Sequence, residues 1–550
     1  MTSPSSVPRA VMLSLLLADP VLLQQHEHGS SANEKLGVVV FSTSCRSDAQ
    51  PRFNRAVALL HSFEFTRAIE GFSATLEADP SCAMAEWGIA LSRWGNPFAA
   101  GIRPPAPLQQ GRDAVNRAKA IGPKTVRESA YLDAVSQLYA GFESVDQRTR
   151  MLAYRDAMAR VAVANPDDTE ASIFYALAIA AAAPPTDKTY ADLLQAGAML
   201  ESIIASQPDH PGRSHYIIHS YDVPPLADRA LAAARRYAQI APSAPHALHM
   251  PSHTFTRLGY WQESIDANIA SGTVAKREGA TAEELHTMDY RTYAYLQTAQ
   301  DGAAREILSA LPEVRRRFDP DALGSAAPGS AGVFALAAIP ARYALERGAW
   351  ADAAKLVPRP SRYLYAGALT YFAKAIGAAR TGDAAATRSA LEALQTIRDR
   401  LMEQKEVYWA EQTEIQRRSA SAWLALVEGR KAEALAEMRA AAAMEDGTEK
   451  SAVTPGPLAP ARELVGEMLL QMNQPAAALE AFEATLRKEP NRFRALFGAA
   501  TSARLAGDRQ KARSYYASLL KICERGDKPG RPELVQARRL ASESASGGRP

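Results

Sequence analysis

Arg504-Leu505-Ala506-Gly507-Asp508, with Ala512 and Tyr516 behind it, is the stretch that decides the fold. A glycine-bearing turn leads into a small residue and then, four positions on, an aromatic one. Thirty-four residues earlier stand Ala478 and Phe482, and Pro490 closes that unit. The same register returns at Ala230, with Pro242, and 34 residues later at Ser264, behind Leu258-Gly259-Tyr260-Trp261. Ala68, Phe72 and Pro80 carry it near the start, and Arg347-Gly348-Ala349-Trp350 precedes Ala353. The small residue lets two helices approach, the turn closes the pair, and proline ends the second helix. Each pair leaves an apolar face that only its neighbour can cover, so the units must stack.

The spacing resembles the tetratricopeptide-repeat (TPR) family over roughly residues 50 to 525. The resemblance implies an all-α, TPR-type α-solenoid: a right-handed superhelix of antiparallel helix pairs over 36–525, with a His-rich groove at 210–293. Residues 1–35 read as a signal-like or disordered N-terminus, and 526–550 as a polar, disordered tail. Composition agrees. A chain of 550 residues exceeds what one compact core needs, 47% of it is apolar, and only 7% is aromatic, so a large sheet is not expected. Pro104 to Gln110, Pro184 to Thr189, Gly324 to Gly332 and Thr454 to Pro460 are Pro/Gly-rich connections.

The net charge of +3, from 63 basic and 60 acidic residues, is too balanced to signal a nucleic-acid or anionic-membrane surface, and no run of basic residues with interleaved aromatics occurs, so no nucleic-acid partner is expected. Arg9 followed by the apolar run Ala10 to Ala18, broken at Asp19-Pro20, is too short to span a bilayer and resembles a secretory signal. The expected location is therefore periplasmic or secreted, with a cytoplasmic protein bearing a disordered tail as the alternative. Cys45 and Cys82 flank the first helix pair, where export would let them bond, and with Cys523 they form no thiol-metal spacing.

No phosphate-binding glycine loop, GxSxG elbow or HExxH helix occurs. The histidines stand out instead. Seven of ten lie between His210 and His286, where even scatter would leave about 1.4. His215 and His219 are one turn apart, with Asp222 three further on. His246, His249 and His253 run i, i+3, i+7, and His286 and Asp289 are i and i+3. By repeat register His215 and His249 share the fifth position and His219 and His253 the ninth. His246 is second in its unit; in the next, His286 is second, Asp289 fifth and Tyr293 ninth. In TPR proteins these positions of the first helix line the concave groove, so the resemblance implies three adjacent helices aiming imidazoles into one cavity. His215-Tyr216-Ile217-Ile218-His219 and His246-Ala247-Leu248-His249-Met250-Pro251-Ser252-His253 look like a subgroup of bacterial, often exported, TPR proteins with a His-rich middle.

Neutral imidazole is the commonest side-chain metal ligand, and an i, i+4 pair chelates one ion. His215, His219, His246, His249 and His253 are the candidate ligands, for one or two divalent transition-metal ions. Zinc or copper is favoured over iron. Asp222, Asp289 and His286 are the candidate catalytic or imidazole-orienting residues. Tyr290 and Tyr293 are candidate substrate contacts. The reading is a metal-dependent enzyme, hydrolytic or redox, taking a small-molecule or peptide ligand in the groove. The alternative is a non-catalytic TPR module that binds peptide or protein partners or carries metal. Outside the cluster, His61 reads as a packed core histidine, His210 as turn chemistry, and Trp87 and Trp94 as seam fillers.

Overall fold

The computed structural model describes Met1 and residues 34–99, 101–203, 206–323 and 326–546. The stretch from Arg9 to Pro20, read as signal-like, lies outside the described residues. The chain divides into Met1–Glu34 and Lys35–Pro550, and everything below concerns the second unit.

Helices succeed one another in antiparallel pairs, from Gln50–His61 with Phe65–Ala78 to Phe493–Leu505 with Arg509–Ile522, and no strand occurs among the described residues. The architecture is an all-α solenoid of the TPR type. Ala68, Ala230, Ser264, Ala304 and Ala478 are fully buried at the helix–helix approaches. Phe72 and Phe482, four positions after Ala68 and Ala478, wedge into the neighbouring helices. A Cβ on Gly466 or Gly498 would stand 2.8 or 2.4 Å from the Phe482 ring, so two glycines make the slot for one phenyl. Gly507, in the turn that opened the sequence reading, has φ +89°, a conformation L side chains rarely adopt.

Cys45 and Cys82 are disulfide-bonded, with Cα atoms 4.8 Å apart, and tie the non-helical segment before Gln50–His61 to the start of the helix Ala83–Trp94. The segment 526–550, expected as a frayed tail, carries the helix Pro532–Ser546. Its Leu534 and Ala537, i and i+3, are buried against the last pair, and Arg531 clamps Asp301 at 2.6 Å.

Units far apart in sequence also meet. Trp261 Nε1 donates to the Asn491 carbonyl at 2.8 Å, Lys188 pairs with Glu449 at 2.7 Å, and Thr66 Oγ1 donates to the Leu323 carbonyl at 2.7 Å. These contacts bring the Pro/Gly-rich connections over the middle of the array, where the histidines are.

Candidate metal centre

Three first helices supply the imidazoles. Pro211–Ser220 begins on His210, whose Nδ1 accepts the Arg213 amide at 3.3 Å, and presents His215 and His219 one turn apart. The next first helix is broken into Pro245–His249 and Pro251–Arg257, because Pro251 has no N–H to continue the ladder. Thr281–Gln297 carries His286 and Tyr290.

The imidazoles gather into two groups rather than one. His215, His219 and His246 form the first, and His249, His253 and His286 the second; within each, one ring nitrogen per residue lies within 4.8 Å of the others. The groups adjoin, with the rings of His246 and His249 5.8 Å apart and those of His219 and His253 6.0 Å apart. They are the same construction repeated: the fifth- and ninth-position histidines of one unit, with the second-position histidine of the next. Asp289 and Tyr293 stand where a third group would begin, and there the series stops.

Hydrogen-bond acceptors settle which nitrogens are free. His215 Nδ1–H donates to the His61 carbonyl at 2.7 Å, and His253 Nδ1–H to Asp222 Oδ2 at 2.9 Å. His249 Nδ1–H donates to Asn268 Oδ1 at 2.7 Å, the amide being oriented by its own N–H bond to the Ser264 carbonyl. His246 Nδ1 faces Glu283 Oε1 at 3.4 Å. With each Nδ1 carrying the proton, each Nε2 keeps a lone pair. Yet His215 Nε2 faces His246 Nε2 at 3.1 Å, and His249 Nε2 faces His253 Nε2 at 3.0 Å. Two lone pairs so close repel unless a cation lies between them. A tetrahedral ion bound at about 2.0–2.1 Å holds its ligand nitrogens about 3.4 Å apart, close to both separations. His219 Nε2 and His286 Nδ1, one in each group, are buried without a hydrogen-bond partner.

All six side chains are buried, from 0% exposed for His215 and His249 to 7% for His219. Burial, reinforced by neighbouring imidazoles, lowers His215, His219, His246 and His286 well below the ordinary histidine value and His249 to about 3. His253 is lowered too, burial outweighing the opposing pull of Asp222. Burial alone would raise Asp222, but Lys450, Arg257 and the His253 hydrogen bond outweigh it and hold the carboxyl well below its usual range. The site at neutral pH is thus six uncharged donors beside the ionised, fully engaged Asp222 carboxylate.

The expected open groove is filled. Phe98 stacks on His219 with ring centres 4.0 Å apart, and Phe63 lies against His215, His219 and His246. Lys450 Nζ donates to Asp222 Oδ2 at 3.3 Å, and the Thr454 carbonyl accepts from Tyr290 at 3.4 Å. A cavity of about 350 Å³ borders the first group at His219 and reaches Asp222, Phe98 and Lys450. Of the remaining candidates, Tyr290 OH stands 3.3 Å from His253 Nε2, at the site. Asp289 does not join it: Arg342 holds its carboxylate at 2.8 Å in the buried interior. Tyr293 is likewise elsewhere, its OH taking a hydrogen bond from Arg492 at 3.1 Å, because a fifth–ninth pair without imidazole packs into the seam.

His61 and His210, read as separate packing and turn residues, meet on Glu170, at 2.8 and 2.9 Å. Every ring nitrogen there is used. His61 Nδ1 takes the Tyr216 hydroxyl at 3.0 Å, and His210 Nδ1 takes an amide. This buried staple has no imidazole lone pair left for an ion, and the His61 backbone carbonyl orients His215.

Asn268, Glu283 and Phe98 were not singled out from sequence. Asn268 had a signal: it stands four residues after Ser264, where Phe72, Phe482 and Tyr516 follow their small residues. A polar side chain at an aromatic wedge position marks something to be oriented.

The fold and site together define a TPR-type helical solenoid with two repeat-related histidine groups at its centre. No protein-family model matches the chain, and no curated protein matches it significantly. Solved structures similar to it include the human IFIT1 dimer with m7Gppp-AAAA, at 12% identity and TM-score 0.39 over 88% of this chain and 96% of that one. The APC/C hetero-tetramer Cut9-Hcn1 matches at 13% identity and TM-score 0.34, over 90% and 89% of the two chains. The P58(IPK) TPR domain matches at 14% and 0.21, over 68% and 99%. Among the described residues, no helix is long and apolar enough to cross a membrane.

Proposed function

We propose that this solenoid is a metal-dependent oxidoreductase holding two transition-metal ions, one per histidine triad. Copper is the expected element and zinc the next. The observation that carries the reading is the pair of Nε2–Nε2 approaches at 3.1 and 3.0 Å, each between imidazoles whose Nδ1–H groups are already committed to acceptors. That is how a metal-ligating histidine is oriented from behind. An all-imidazole, uncharged donor set suits copper, which stands highest in intrinsic affinity for nitrogen ligands.

Redox chemistry is favoured over hydrolysis by the all-imidazole donor set, and the carboxylates nearest the imidazoles are engaged elsewhere. Asp222 is engaged by His253, Arg257 and Lys450, Asp289 by Arg342, and Glu283 by the Ala327 amide and His246. Glu449, which lines the cavity beside His219 and keeps one buried carboxylate oxygen without a hydrogen-bond partner, is the group a hydrolytic reading would use as general base. Two adjacent redox ions would supply a two-electron couple for dioxygen. The chain's own residues orient the imidazoles, exclude water with Phe63 and Phe98, and leave a cavity at His219 of a size for a small molecule. The Cys45–Cys82 bond supports a periplasmic or secreted location.

A second reading, a module that carries metal without catalysis or binds a peptide partner, draws support from the near-complete burial of the six histidines. Elemental analysis of untagged protein purified without chelators, beside the double variant His219→Ala/His253→Ala, tests both. About two copper ions per chain, lost in the variant, with oxygen uptake on phenolic or amine substrates, is the expected result. Metal without oxygen uptake moves the protein to the carrier reading. No metal in either protein, even after reconstitution with copper or zinc, overturns the metal centre.

A further inference from the structure

One unit of the array is incomplete. Its first helix, Gly329–Glu346, is of ordinary length, but its second, Trp350–Ala354, has only 5 residues. Other second helices run to 14 residues in Phe65–Ala78 and Pro475–Lys488, 17 in Asp301–Arg317 and 20 in Ala384–Glu403. After Ala354 the chain runs non-helically from Lys355 to Tyr363 and enters the next first helix, Leu364–Arg380. Nine or more residues of helix, two to three turns, are missing from the position that the repeat reserves for them.

The gap is a cavity of about 490 Å³. In an antiparallel pair the end of the second helix lies beside the start of the first and of the one that follows, and this is where the cavity sits. One wall is Val333, Leu336, Ala337 and Pro340, at i, i+3, i+4 and i+7, all half-buried. The other is Tyr363, Ala366 and Thr370, at i, i+3 and i+7. Two apolar stripes at helical spacing, one on each side of the gap, are what a third helix would pack against. The rim is basic. Arg315, Lys355, Arg359 and Arg362 surround it against a single carboxylate, Asp321, which Arg362 pairs with. Among the described residues no carboxylate pairs with Arg315, Lys355 or Arg359.

We propose that this gap is a docking site for an acidic amphipathic helix of a partner protein, two to three turns long, which completes the unit by taking the place of the missing second-helix turns. The apolar stripes receive its apolar face, and the three unpaired cations receive flanking Glu or Asp. The site is separate from the histidines, and the inference stands or falls without the metal reading.

The test uses the full chain and a synthetic 16-residue fluorescein-labelled peptide with Leu at i, i+3/i+4, i+7 and Glu on both flanks. Two controls accompany it: a twin with Lys for every Glu, and a twin with a central proline. Fluorescence anisotropy is expected to show micromolar binding of the acidic helix and at least tenfold weaker binding of both twins. A comparable loss is expected with the exposed pair Lys355→Glu/Arg359→Glu. Because that pair lies on the surface, circular dichroism should show its helix content unchanged. Equal binding of the twins, no binding of the acidic peptide up to about 1 mM, or indifference to the charge reversal would overturn the proposal. Displacement of the peptide by laurate at micromolar concentration would reassign the groove to a small amphiphile. Concentration-dependent dimerisation abolished by Leu336→Glu would assign it to a second copy of the chain.

Discussion

If the six imidazoles are already uncharged in the metal-free protein, loading them with an ion should displace almost no protons. Consider zinc titrated into chelator-treated protein at pH 6.0. Six histidines with the ordinary value of 6.5 would each be about 76% protonated, and would together release about 4.6 protons on binding. The structure predicts otherwise. Burial holds His215, His219, His246 and His286 well below 6.5 and His249 at about 3, so each carries essentially no proton at pH 6.0. Only His253, lowered by burial but drawn back by Asp222, has a proton to give in part. Isothermal titration calorimetry in buffers of differing protonation enthalpy reads the number directly, as the slope of apparent enthalpy against buffer enthalpy. Fewer than one proton per chain is expected. A release of three or more would refute the burial argument, because it would mean solvent reaches the rings and the aromatic cover is open. The sign for stability follows the same shifts. With folded-state values below 6.5, the unfolded chain takes up protons that the folded one refuses, so the metal-free protein should weaken as pH falls below about 6.5.

Asp222→Asn removes the ionised acceptor behind His253 and should weaken metal binding 10- to 100-fold, with helix content unchanged by circular dichroism. Wild-type affinity in a competitive chelator assay would show that Asp222 does not orient the ligand. Gly88→Ala should destabilise the first units by about 1–3 kcal/mol, since the new Cβ would meet the Phe72 ring at 2.3 Å, and should leave metal content unaltered. Thermal melts that match wild type would mean the ring can yield. Cys82→Ser opens a loop of sequence separation 37 and should cost about 4 kcal/mol by loop-closure entropy. Alkylation and mass spectrometry of wild-type protein purified without reductant should find Cys45 and Cys82 blocked, and two free thiols there would contradict the bond.

Much of this was legible in the sequence, and for a definite reason: two periods act on the same residues. The 34-residue repeat relates His215 to His249 and His219 to His253, while the helix period puts each pair on one face. What the periods could not say is which second-position histidine joins which pair. That is decided in three dimensions, where His246 Nε2 faces His215 Nε2 at 3.1 Å while His249 and His253 gather with His286. Equally hidden was the cover. Phe98 and Lys450 come from connections 121 residues before and 231 residues after His219, and nothing local in either connection announces its destination. Asp289 and Tyr293 look like site residues because they share the register, yet Arg342 and Arg492, which claim them, come from later units. The tail helix is hidden for a related cause: Leu534 and Ala537 are too few to signal a helix until the final pair offers them a face.

The contacts between distant units change what kind of repeat protein this is. An open array can gain or lose a unit and remain itself, because each unit consults only its neighbours. Here Trp261 is bonded to Asn491, Lys188 to Glu449 and Thr66 to Leu323. Duplicating any unit between such partners would shift one of them by a whole helix pair and uncover the imidazoles. The number of units is therefore fixed by these closing contacts, and the array has the indivisibility of a globular domain although it is assembled like a chain of links.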